Sequence, residues 1–136
     1  ANGNYVVFSA AFGSGRGAAT WASGAAATSL TVSSSNSLVG TTTADGLGSL
    51  DSSWVRAFAN GKFAFLSGYW GGGGAVTLGN GGYASITGTA SARNSVIGGG
   101  TSGTGRDMNF DYDNTHDLLA VFPRGLPRST PPRRAG

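Results

Sequence analysis

Short runs of β-branched and aromatic residues alternate with glycine-bearing turns along residues 1–122, and this alternation constrains the fold more than any other feature. Val, Ile, Thr, Phe, Tyr and Trp fit a pleated surface, whereas Gly and Asn tolerate the positive φ of tight turns. The β-prone runs fall near residues 4–12, 18–22, 29–33, 38–43, 53–59, 62–69, 75–78, 83–89, 95–97 and 117–122. With no convincing helix between them, they predict an all-β fold, an antiparallel, jelly-roll-like β-sandwich. Composition points the same way. Glu and Gln are absent and Lys62 is the only lysine, while Gly, Ser and Thr number 25, 17 and 13. The residues that usually coat exposed helix faces are missing. At 136 residues the chain has the length of one domain. It contains no cysteine, which excludes disulfides and thiolate metal sites.

The strongest local signal is SWVRAFANGKFAFLSGYW, residues 53–70, in which Asn60 and Gly61 suit a two-residue type I′ turn. That turn sets Phe58 opposite Phe63 and Arg56 opposite Phe65. One face then carries Trp54, Arg56, Phe58, Phe63 and Phe65 toward a core. The other carries Val55, Ala57, Ala59, Lys62, Ala64 and Leu66, toward solvent or a neighbouring subunit. A one-residue slip exchanges these roles. Asn80 and Gly81 repeat the signal between AVTL and YASITG and predict a second hairpin. The run Gly71–Gly74 after Trp70 fits either a loop or a close approach of backbone.

Several stretches resemble chemical motifs. FGSGRGAAT has the G-x-G-x-x-A spacing of a dinucleotide fingerprint, but Gly24 interrupts the helix it needs and the first acid to follow is Asp45, so a loop is the simpler reading. Asp111, Asp113 and Thr115 match the D-x-D-x-T motif of haloacid-dehalogenase phosphatases. In that family most of the catalytic domain follows the motif, and here barely twenty residues do. Asp107, Asp111, Asp113, Asn114 and Asp117 could supply oxygens to Ca²⁺, yet an acidic loop of Asx turns explains them more simply. His116, the sole histidine, has no nucleophile elbow to serve and reads as a surface or turn partner. No catalytic residue, metal or cofactor is predicted, and the chain reads as a non-enzyme. No apolar run approaches a membrane span, and the start ANGNYVVFSA has no basic n-region.

All four prolines, Pro123, Pro127, Pro131 and Pro132, fall at the C-terminal end beside Arg124, Arg128, Arg133 and Arg134. Through Phe122 the basic residues are Arg16, Arg56, Lys62, Arg93 and Arg106 against six aspartates, a net charge of −1. Two regions follow, a β body over residues 1–122 and an extended Pro/Arg-rich arm over residues 123–136. No aromatic interleaves the arginines, so the arm suits an acidic protein surface better than nucleic acid.

The Gly/Ser/Thr/Ala-rich strands, the lack of Cys and Glu, and the arm Pro123–Gly136 together resemble the cement, or decoration, proteins of tailed bacteriophage capsids. That resemblance implies a structural virion protein on the capsid surface. It would bind the major capsid protein across subunit seams as a homodimer or other homo-oligomer. The candidate partner-binding residues are Arg124, Arg128, Arg133 and Arg134 as polar anchors, with Phe122 and Leu126 as apolar pegs. The alternative is a secreted or surface-exposed carbohydrate-binding or adhesin-like β-sandwich, with Tyr69, Trp70 and Tyr83 as a sugar platform. An ice-binding solenoid would require a fixed repeat period, and none is evident in the sequence.

Overall fold

The computed structural model describes residues 3–49, 53–83, 85–99 and 108–123. Its strands are β1 (Tyr5–Ser9), β2 (Ala18–Ala22), β3 (Ser37–Val39), β4 (Ser53–Ala57), β5 (Lys62–Ser67), β6 (Ala75–Asn80), β7 (Gly88–Thr89), β8 (Ser95–Ile97), β9 (Met108–Asp113) and β10 (Leu118–Pro123). The only helical pieces among the described residues are single turns, at Phe12–Gly15 and Trp70–Gly72. The protein is therefore all-β and sandwich-like, as its residues predict. Pro123, the first residue of the expected arm 123–136, closes β10, and residues 124–136 lie outside the described residues.

The strands form three layers. A first sheet has the order β1-β2-β3-β7, a second β4-β5-β6-β8, and β9 and β10 form a hairpin. All neighbours are antiparallel except β3 and β7, which are parallel. One core lies between the sheets, where Val6, Phe8, Ala19, Trp21 and Leu38 meet Phe63, Phe65 and Ala75. A second lies between the second sheet and the hairpin, where Ala64, Leu66 and Val76 meet Met108, Phe110 and Tyr112. The second sheet is thus covered on both faces, which is why β5 reads as the nearly unbroken apolar run KFAFLS. Burying a side chain such as Phe65 contributes about 1.5–3 kcal/mol.

The first two layers are copies of one pattern. Ser9 pairs with Ala18 and Ser67 with Ala75; Thr20 pairs with Ser37 and Thr77 with Ser95. Hence β1, β2 and β3 correspond to β5, β6 and β8. Each third strand is preceded by one motif, SSSNSLVG at residues 33–40 and SARNSVIG at residues 91–98. Asn36 Oδ1 accepts from Ser33 N (3.0 Å) and Ser37 Oγ (2.7 Å), and Asn36 Nδ2 donates to Thr31 O (2.8 Å). Asn94 repeats this with Ser91 N (2.9 Å), Ser95 Oγ (2.7 Å) and Thr89 O (3.0 Å). The hydroxyls of Thr20 and Ser37 lie 2.7 Å apart, as do those of Thr77 and Ser95. Both motifs end in glycine because backbone passes there. A Cβ at Gly40 would collide with Arg16 O, and one at Gly98 with Gly73 O. The run Gly71–Gly74 forms a turn in which Gly71, Gly72 and Gly74 have positive φ (58°, 78° and 80°).

The copies stack face to tail. Val6, Phe8, Ala19 and Trp21 of the first copy point toward the second copy, whose corresponding Ala64, Leu66, Val76 and Leu78 point toward the hairpin. The β9–β10 hairpin, antiparallel like β4–β5, covers the second copy on the face that the second copy's partner sheet leaves open. The layers also interlock, since β7, from the stretch equivalent to Leu30–Thr31, crosses to the first sheet, where Gly88 N donates to Ser34 O (2.8 Å).

Several sequence expectations are corrected. The chain does carry an internal repeat. The turn at Asn60–Gly61 exists, but Gly61 alone has positive φ (82°). Gly61 N donates to Phe58 O and Phe58 N to Lys62 O, a type I turn closed by a bulge. Ala57 therefore faces Phe63 and Val55 faces Phe65, one residue away from a type I′ register. Trp54, Arg56 and Phe58 accordingly leave the Phe63–Phe65 face and share that of Ala64 and Leu66, which is buried against the hairpin rather than solvated. Asn80–Gly81 closes no hairpin, because β6 pairs with β8 and residues 83–87 form no strand among those described. Residues 29–33 are likewise not a strand. MNFDYD is a strand, not an acidic loop.

Candidate functional site

The first sheet ends at β1, and among the described residues no strand lies along its outer edge. A groove of 790 Å³ opens beside the start of that strand, at Asn4, Tyr5 and Val6. Its lining includes Tyr5 and Val6 of β1, Val55 and Ala57 of β4, Phe63 of β5 and Trp21 of β2. Val55 is 40% exposed although its pairing partner Phe65 is fully buried. The opposite face of β4 meets the hairpin, with Trp54, 37% exposed, stacked on Phe110 at 4.5 Å, and just past the strand Phe58 stacks on Tyr112 at 4.1 Å. One end of the groove is fixed by Gly81, whose carbonyl accepts from Asn4 Nδ2 (2.7 Å) and Trp21 Nε1 (3.1 Å).

A polar clip lies next to it, since Gly81 N donates to Gly61 O at 2.8 Å. Lys62 Nζ donates to Asp117 Oδ1 (2.6 Å), the Tyr112 hydroxyl donates to the same carboxylate, and Asn60 Nδ2 donates to Tyr112 Oη (2.7 Å). The hydrogen bond with Asp117 holds Lys62 above the usual ammonium value and Tyr112 above the usual phenol value. Lys62 and then Tyr112 hold Asp117 low. An amine kept protonated and a phenol kept neutral are the reverse of activated nucleophiles. The clip fastens the β4–β5 turn to the β9–β10 turn.

A further open surface is the outer face of the first sheet, where Tyr5 (47%), Val7 (43%) and Leu30 (44%) are exposed. Their counterparts Phe63 and Phe65, for Tyr5 and Val7, are 5% and 0% exposed inside the stack.

The candidate residues read from sequence are distributed otherwise. Phe122 lies on β10, 47% exposed, beside Asn109 of β9. Arg124, Leu126, Arg128, Arg133, Arg134 and Asp107 lie outside the described residues. Asp111 pairs with Arg56 at 3.7 Å, and Asp113 accepts from Thr115 N (2.8 Å) and contacts His116 Nδ1 (2.6 Å). The aspartates therefore have separate partners, and among the described residues no three His, Asp, Glu or Cys side chains gather as for a metal. Phe12–Gly15, with left-handed Gly13 and Ser14, is a turn and starts no helix that could hold a pyrophosphate. Trp70 packs against the first core, and Tyr83 is 59% exposed. The groove residues Val55 and Ala57 were invisible to sequence reading because the register decides their face. The paired S-x-x-N-S motif was the available signal.

The sequence profile of a family described as a repeat of unknown function, DUF5650, matches residues 1–49 and again residues 57–105. No curated protein and no solved structure matches the chain.

Proposed function

The chain belongs to the DUF5650 repeat family, and from that premise we propose that it is a segment of a stacked β-repeat scaffold, the adhesin-like structural alternative rather than a catalyst. One observation carries this reading: the second copy is buried on both faces, by the first copy on one side and by the β9–β10 hairpin on the other. A repeat that cannot bury its apolar faces alone gains stability from its neighbours, so length and rigidity grow together. Such a scaffold holds other surfaces apart or presents them at a distance. Capsid cementing rests on composition and on the arm Pro123–Gly136, and no described feature favours it over the scaffold.

The test is to duplicate residues 53–107 in place, which inserts one layer between the second sheet and the hairpin. Stacked sheets are about 10 Å apart, so the maximum dimension from small-angle scattering should rise by about 10 Å per insert. The denaturation midpoint should rise as well, because each inserted layer adds a nearest-neighbour interface. An insert that behaves as a separate body, with an unchanged midpoint, would refute the scaffold.

A further inference from the structure

We infer that the groove beside the start of β1 receives an extended strand of a further DUF5650 repeat, running antiparallel to β1. This deepens the scaffold reading and rests on it. The argument is a comparison of three strands. β5 is flanked by β4, and β10 by β9, in both cases antiparallel. β1 has no such flank among the described residues, and the groove opens at the Asn4–Val6 end of that edge, above Val55 and Ala57 of β4.

The shape of the groove names its occupant. β4 lies under β9, with the large rings of Trp54 and Phe58 stacked on Phe110 and Tyr112. The face of β4 turned to the groove carries the smaller Val55 and Ala57. A strand patterned like β4 would therefore direct alternating large side chains, in the manner of Trp54 and Phe58, over Val55 and Ala57. Its backbone would complete the β1 edge, the main-chain recognition of β-strand addition, in which alternate side chains provide the specificity. Exposed strand edges invite such pairing.

The experiment uses the full chain and a fluorescein-labelled peptide of residues 51–59, DSSWVRAFA, read by fluorescence anisotropy. Saturable one-to-one binding is expected, with hydrogen-exchange protection gained in β1. Val55→Lys, on an exposed side chain, should keep the circular dichroism and Tm of the free chain and weaken binding at least tenfold. A peptide with proline in place of its central valine, which loses a backbone donor without touching the fold of the chain, should also bind at least tenfold more weakly. Absence of binding to the folded chain would overturn the proposal. Equal binding of a scrambled peptide would do the same, as would protection gained at β5 through displacement of β4. Filling of the groove by an oligosaccharide in place of the peptide would also count against it. Failure here leaves the scaffold intact if the duplicated layer still lengthens the particle; a duplicated layer that does not stack removes the scaffold itself.

Discussion

At the scale of single residues, the stack is held by polar side chains that each satisfy several backbone groups. Asn36 and Asn94 make the same three hydrogen bonds, but Asn36 is half-buried and Asn94 exposed. Lost hydrogen bonds cost more where water cannot replace them, so Asn36→Ala should destabilise by about 2 kcal/mol and Asn94→Ala by about 1 kcal/mol in urea denaturation. Asp45 is the other such residue, 3% exposed. It accepts from Thr41 N, Thr41 Oγ1, Thr42 N and, across to the second layer, Gly71 N at 3.0 Å. Burial pushes its carboxyl up, but the Gly71 amide, the Thr41 hydroxyl and the Thr42 and Thr41 amides outweigh burial and hold it below 3.8. A depressed folded pKa gives stability that is present above the unfolded value and is lost as pH falls through the folded one. Asp45→Ala should therefore cost about 3 kcal/mol at pH 7. That difference from the parent chain should shrink in denaturation series carried below pH 3.8, the ordinary value of the group. Little of this was legible beforehand. Asp45 resembles any loop aspartate until Gly71 is brought to it, and Asn36 and Asn94 are recognisable only once their surrounding motifs are aligned.

At the scale of elements, sequence pattern identified strands better than it paired them. Residues 18–22 and 95–97 are strands as read, because their β-branched and small residues are bounded by turn formers. The β4–β5 hairpin was legible but its register was not. Asn-Gly fits both a two-residue turn and a type I turn with a left-handed glycine, and the seating of Phe58 on Tyr112 goes with the second. Gly61→Ala, at φ 82°, should lose about 1 kcal/mol and leave the register unchanged in cross-strand NOEs. β9 escaped because its aspartates suggested a loop, although M-N-F-D-Y-D alternates with the period of a strand, placing Met108, Phe110 and Tyr112 inward. Phe110 is 2% exposed and carries Trp54 on one face. Phe110→Ala should cost about 4 kcal/mol. Because the hairpin pairs with no other sheet among the described residues, residues 108–123 should lose hydrogen-exchange protection first, while β5 and β6 keep theirs.

At the scale of the whole molecule, the same positions meet different fates in successive layers, and that contrast shows what a covering layer does. Phe63 and Phe65 are buried because a layer lies on them, whereas Tyr5 and Val7 at the corresponding places are nearly half exposed. Leu38 is fully buried under the second layer, while its counterpart Val96 is 46% exposed. Repeat arrays stay monomeric when their terminal layers present polar outer faces, and these faces are apolar. End-to-end association should follow, with sedimentation coefficients that rise with concentration. Val7→Lys places a charge at the centre of one end face without touching either core, so it should suppress that rise and leave the Tm within about 1 °C, as surface substitutions typically change stability by less than about 0.5 kcal/mol. The alternative assignment, an outer face that is merely solvated, predicts sedimentation independent of concentration for both chains. Association that survives Val7→Lys but disappears when Phe122 is replaced by Ser would move the contact to the hairpin end, where Phe122 and Leu118 are 47% and 61% exposed.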